Sequence, residues 1–215
     1  PGRRFTVRWK LEDAWGNPVG RARRFSHDAF ETAGCFRVAV EDPQTGLSAE
    51  TNPIMVRDGE SHGHFWADLH GQTEETVGTN SIDDYFTFAR NLGFLDACAH
   101  QGNDFQITDA FWKKIQQTTD EFNRPGRFVT FPGWEWSGNT GVGGDRNVLF
   151  RTEGGSIHRS CRALVDPAES VDECAEDAEA LFDLLEGTRP EPMLFAHVGG
   201  RYADLAWHRE GLETA

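Results

Sequence analysis

The chain is short of several things, and each shortage narrows what it can be. Its four cysteines, Cys35, Cys98, Cys161 and Cys174, form no CxxC pair and no zinc-finger spacing, so a structural zinc ribbon is excluded. Cys98 lies in an apolar stretch and reads as a core residue; the spacing leaves a Cys161–Cys174 bridge, and with it the compartment, open. No apolar run is long enough to span a bilayer, and no basic-then-apolar leader is present. Basic residues are scarce, 21 against 35 acidic ones, for a formal charge of -14. Such a field repels phosphate backbones and anionic membranes, so neither nucleic acid nor membrane is an expected partner. The excess carboxylates serve either a solvated surface or bound cations. There is no initiator Met, and the chain is read as a soluble fragment whose native ends lie elsewhere. Localisation and oligomeric state have no signal. At 215 residues it can bury a full core and is expected to hold one or two domains.

Two regions differ in pattern. Residues 1–60 alternate in "FTVRWKL" and "CFRVAV", with turns at "AWGNPVG", "EDPQTG" and "TNP", which predicts a partial, Ig-like β-sandwich. Residues 61–215 alternate strands and helices. "FWADLH", "FLDACAH", "RFVTFPGWEW", "RNVLFR" and "PMLFA" read as strands. In "SIDDYFTFARNLG", Ser81 caps a helix, Asp84 completes a capping box, and Ile82, Tyr85, Phe86, Ala89 and Leu92 share a face. "TDAFWKKIQQTTDEFN" and "AEDAEALFDLLEG" are further helices, the second closed by Gly187. Alternating units with apolar strands predict an α/β fold with a parallel sheet, open or closed into a barrel. Residues 156–172 are polar and irregular and read as a loop.

Polar residues recur at one place in this pattern. His70 follows "FWADL", His100 follows "FLDACA", Glu135 follows "FVTFPGW" and His197 follows "PMLFA". Four strands each deliver a ligand-capable side chain near their C-terminal end, the rim where parallel α/β folds assemble sites. Imidazoles with a carboxylate suit zinc, manganese or iron. His62 and His64 are spaced HxH but precede the strand and read as a linker pair; His158 and His208 lie on polar segments and are set aside as ligands.

"ADLHGQT" resembles the first motif of the polymerase and histidinol phosphatase (PHP) superfamily. The ordered series "DLHGQTEE…HQGNDFQ…PGWEWSGNTG…GDRNVLF…AHVGGRYADL" is more similar still to a PHP-like domain-of-unknown-function family, number 3604. The resemblance covers Phe65 to Leu205 and implies a partial, distorted (β/α) barrel of PHP type. It also implies two or three divalent ions (Zn, Mn or Fe) in the full-length protein. His70 matches the first histidine of the HxH motif, and the second falls on Gln72, a weak ligand through its carbonyl oxygen. An acidic position falls on Val77. "AHQGND" offers His100 or Asp104, with His100 favoured and Asp104 behind it as ligand or orienter. Glu135 matches the bridging carboxylate, Asp145 stands where a histidine is usual, and His197 matches a later histidine. The last motif, D-x-H, has no counterpart before Ala215, so the fragment alone is expected to be inactive.

The implied activity is metal-dependent hydrolysis of a phosphoester by a metal-activated hydroxide, on a small anionic substrate. Asp104 would orient or deprotonate the water, and Arg146 and Arg201 would grip the anionic group. Hydrolysis of an amide or another ester is the alternative within enzymes. A degenerate, non-catalytic metal-binding domain is the alternative outside them, favoured by Gln72 and Val77.

Overall fold

The computed structural model describes residues 1–59, 63–138, 144–160 and 174–197. Of the residues singled out from sequence, His62, Cys161, Arg201 and His208 lie outside these, as do residues 161–172 of the expected loop. The chain divides into two compact units, Pro1–Phe65 and Trp66–Ala215.

The first unit is built from hairpins. β1 (Phe5–Glu12) pairs antiparallel with β2 (Pro18–His27), with a register shift between Trp9 and Leu11. The Asp13 carboxylate closes the turn by accepting from the backbone N–H groups of Trp15 and Asn17, and Gly16 supplies the positive φ of 84°, as a tight turn requires. β3 (Gly34–Phe36) pairs with β6 (Ile54–Val56), and β4 (Ala39–Glu41) with β5 (Ser48–Glu50). The described strands make three separate two-stranded sheets, four of the six strands are three residues long, and Val7 and Val38 are the unit's buried described aliphatics.

In the second unit β7 (Ala67–Gly71), β8 (Ala97–His100) and β9 (Val129–Phe131) form a parallel sheet in that order. α1 (Ile82–Asn91) and α2 (Asp109–Phe122) are its crossovers. Ser81 caps α1, its Oγ accepting from the Asp84 N–H and donating to the Asp84 carboxylate. Thr108 caps α2 by accepting from the Phe111 N–H. Ile82, Phe86 and Ala89 of α1 and Phe111, Trp112 and Ile115 of α2 are buried. Each large side chain so removed from water stabilises the fold by roughly 1.5–3 kcal/mol.

β10 (Gly133–Trp136), β11 (Arg146–Phe150) and β12 (Pro192–Ala196) pair antiparallel. This overturns the expected β/α barrel. The described strands lie mostly in small antiparallel sheets, and no barrel closes. One cause is visible. Residues 137–145, which join β10 to β11, fall short of the dozen or so residues a parallel crossover needs, so β11 returns antiparallel to β10. α3 (Ala178–Leu185), capped by Asp177, packs Leu181 and Leu185 into the same core as Trp134, Trp136 and Val148. Among the described residues no helix is long and apolar enough to cross a membrane. Cys35 and Cys98 are free, whereas Cys174 is in a disulfide.

Candidate metal centre

His70 is the penultimate residue of β7, Glu135 lies in β10, and His197 directly follows β12. One ligand atom from each can be chosen so that all lie within 4.8 Å of one another. His70 Nε2 is 3.6 Å from Glu135 Oε2, and His197 Nδ1 is 3.8 Å from Glu135 Oε1. These gaps are wider than hydrogen bonds, which run to about 3.2 Å. They come close to the ~3.3 Å that separates two ligands of one tetrahedral zinc at ~2.0–2.1 Å.

The backbone explains the convergence. Glu135 is cross-strand partner to Asn147, and Asn147 in turn to Phe195, so all three share a face, with His197 two residues beyond Phe195. The His197 N–H donates to the Asp145 carbonyl at 3.1 Å. The loop after β8 reaches Glu135 as well, since the Glu135 N–H donates to the Gly102 carbonyl at 2.8 Å. Gly71 follows His70 because a Cβ there would overlap the Tyr85 ring.

Asn147, which sequence reading passed over, sits at the junction. Its Nδ2 donates to the Leu69 carbonyl at 2.9 Å, and its Oδ1 lies 2.8 Å from both His70 Nδ1 and His197 Nε2. The signal available in "RNVLF" was a lone amide within an apolar strand. Gln72 and Asn103 support the carboxylate: their amide N–H groups donate to Glu135 Oε2 at 3.0 and 3.2 Å. Gln72 therefore turns its nitrogen, not its carbonyl oxygen, toward the cluster; the oxygen accepts from the Val77 N–H. Val77 itself is exposed.

Glu135 is almost wholly buried, while the side chains of His70 and His197 are 44% and 26% exposed. The cluster is thus closed beneath and open to solvent above. Burial, then the neighbouring His70, holds the His197 imidazole below its ordinary pKa, with Asp145 opposing; the neutral form, which coordinates metals, is favoured. Two imidazole nitrogens and a carboxylate oxygen are a donor set suited to a divalent transition ion, with room for an open position.

Other residues singled out from sequence sit elsewhere. His100 is fully buried, and both its ring nitrogens are engaged: Nδ1 accepts from the Gly102 N–H at 3.2 Å, and Nε2 donates to Thr73 Oγ1 at 2.9 Å. Thr73 passes its own proton to Glu75 at 2.6 Å. Burial pushes the His100 pKa down to about 4, with Glu75 pulling the other way. Asp104 is also buried, its two oxygens accepting from the backbone N–H groups of Ser137 and Ser160. Burial raises its pKa, against the pull of those bonds. Arg146 points to the reverse face of β11, where it donates to the Gly144 carbonyl and lies over the Phe182 ring, 5.3 Å from its centroid. Asp145 is half-buried beside His197 but contributes no atom to the cluster. His64 is exposed in the first unit, and His158 is buried and not part of the cluster.

The chain belongs to a family of proteins of unknown function, DUF3604, whose family model matches residues 41–197. Over 127 residues it is 28% identical to an uncharacterized protein of Chlamydia pneumoniae, a match covering 58% of this chain and 20% of that protein. The chain thus spans about a fifth of that relative's length. No solved structure matches it.

Proposed function

We propose that His70, Glu135 and His197 are protein ligands of a divalent cation in a metal-dependent hydrolase related to the PHP superfamily. The convergence of their ligand atoms within 4.8 Å carries this reading. The ion would supply Lewis acidity, acidifying water and polarising an ester bond. The chain's own contribution is geometric. Glu135 presents a buried negative charge held by two amide donors, while the exposed edges of His70 and His197 leave the approach to substrate open. A small phosphoester is the preferred substrate, with an amide or another ester as the alternative electrophile, since the ligand set does not select between them.

A second reading has a specific observation behind it. Gln72 donates to Glu135 where a second histidine would ligate, and Asp104 has both oxygens bound by backbone N–H groups. No second carboxylate therefore joins the cluster among the described residues, which fits a binding domain without turnover.

Elemental analysis of the purified protein, with a panel of phosphate and amide esters, separates the two readings. Bound metal together with turnover that Glu135→Gln abolishes, the fold being retained, supports the hydrolase. Stoichiometric metal without turnover supports the binding domain. Protein that takes up no divalent ion sinks both.

A further inference from the structure

The cluster raises a question its three ligands do not answer: why do two imidazoles each turn a bare nitrogen toward one carboxylate? The Asn147 amide has only one workable orientation. The Leu69 carbonyl can only accept, so the atom 2.9 Å from it must be the nitrogen. Oδ1 then faces the two histidines, and it too can only accept. Its contacts of 2.8 Å to His70 Nδ1 and 2.8 Å to His197 Nε2 each require a proton on the imidazole. In the neutral, metal-binding form His70 is therefore the Nδ1–H tautomer and His197 the Nε2–H tautomer. The nitrogens left with lone pairs are His70 Nε2 and His197 Nδ1, the two that stand 3.6 and 3.8 Å from Glu135. The rings meet edge to face at 81°, so the lone pairs approach the shared space from different directions.

We propose that Asn147 is the positioning residue of this centre: one side-chain oxygen fixes opposite tautomers in His70 and His197 and so presents a mixed Nε2/Nδ1 donor pair to a divalent cation. The inference rests on reading His70, Glu135 and His197 as metal ligands. Outer partners that take the second N–H of a coordinating imidazole commonly serve one histidine each; here a single atom serves two. Being uncharged, the amide orients both rings without adding a further anion beside Glu135. Its nitrogen, tied to the backbone of β7, keeps that oxygen from turning away.

The test has two parts. In the metal-free protein, long-range proton–nitrogen NMR correlations of the imidazoles should show Nδ1–H for His70 and Nε2–H for His197. An Nε2–H form of His70 in the native protein overturns the proposal, whatever the variants do. Zinc titration by calorimetry then compares the native protein with two variants. Asn147→Ala should weaken zinc binding about 10- to 100-fold and release both tautomers. Asn147→Asp keeps an accepting oxygen but loses the donor to Leu69, and should retain most of the affinity. If Asn147 only ties β7 to β11, Asp and Ala lose affinity alike, and the proposal falls. It falls also if Asn147→Ala binds zinc as the native protein does, a result that leaves the metal centre standing. Native protein that binds no zinc overturns the metal centre and the donor-pair role together, while the NMR spectra report on the tautomers independently.

Discussion

Glu135 and Asn147 are directly opposite one another in the antiparallel ladder of β10 and β11. Opposed residues share a face of the pleat, and their chain neighbours take the other. The pairing puts the carboxylate and the amide that organise the cluster on one side of the sheet. The next pair along, Trp136 and Arg146, goes to the apolar side beneath α3.

Arg146 is consequently a fold residue. Replacing it with Met keeps much of its length but leaves the buried Gly144 carbonyl without that donor, which should cost roughly 1–3 kcal/mol. The denaturant midpoint of Arg146→Met is expected to fall while zinc affinity measured by calorimetry stays at the native value. A large loss of metal binding at unchanged stability would return Arg146 to the site.

Much of the local structure was legible in the sequence. Ser81 and the spacing of Ile82, Phe86 and Ala89 are local signals, read within one or two turns of helix. His70, Glu135 and His197 could be picked out because each follows an apolar run. The directions of β11 and β12 were hidden, because strand pairing depends on what each edge meets in space. Here the short link between β10 and β11 set the direction of β11. The parity of Arg146 was hidden for the same reason: which of two adjacent residues faces the site follows from the register with β10. Gln72 could be named from its position, but whether its oxygen or its nitrogen faces Glu135 depends on the Val77 N–H that takes the oxygen.

Acid should expose the cost of burying His100. Its pKa falls from an ordinary 6.5 to about 4 in the folded chain, so the unfolded state binds the proton more readily. The neutral, buried form is at no disadvantage above about pH 6.5; stability is lost as pH falls from there toward 4 and changes little further below it. The span corresponds to roughly 3 kcal/mol at most. Thermal midpoints of the native protein should drop across this window, and His100→Gln, which cannot be protonated, should show a shallower drop. Parallel curves for the two proteins would mean that His100 titrates normally.

Gly71 tests how tightly the β7 ligand is seated. A methyl group there would overlap the ring of Tyr85, a residue of α1 that is half-buried against the core and whose hydroxyl donates to the Ala99 carbonyl. Gly71→Ala must displace either Tyr85 or the end of β7 that carries His70. Overpacking of this kind costs typically about 1–3 kcal/mol. Both the thermal midpoint and zinc affinity are expected to fall, and Tyr85→Phe, which keeps the ring, should not relieve either loss. Native behaviour of Gly71→Ala in both measurements would show that the contact yields freely.

The number of ions follows from what already holds Glu135. A carboxylate that bridges two cations gives one oxygen to each. Here Oε2 accepts N–H bonds from Gln72 and Asn103, and amide donors stand where a second cation would otherwise draw on that oxygen. His100 has both ring nitrogens committed to Gly102 and Thr73, and Asp104, whose oxygens accept from Ser137 and Ser160, lies outside the cluster. On the proposed ligand set, the described residues offer a place for one ion; the two or three implied by the PHP resemblance refer to the full-length protein. Elemental analysis of the purified protein should return one equivalent of zinc or manganese. Gln72→His replaces the amide nitrogen that donates to Glu135 with a nitrogen that can ligate, and should raise the count toward two. Gln72→Ala, which removes the donor without adding a ligand, should leave it at one with weaker binding. Two equivalents in the native protein would mean that Gln72 does not bar the second position, and the hydrogen bond to Glu135 would then have to yield when metal binds.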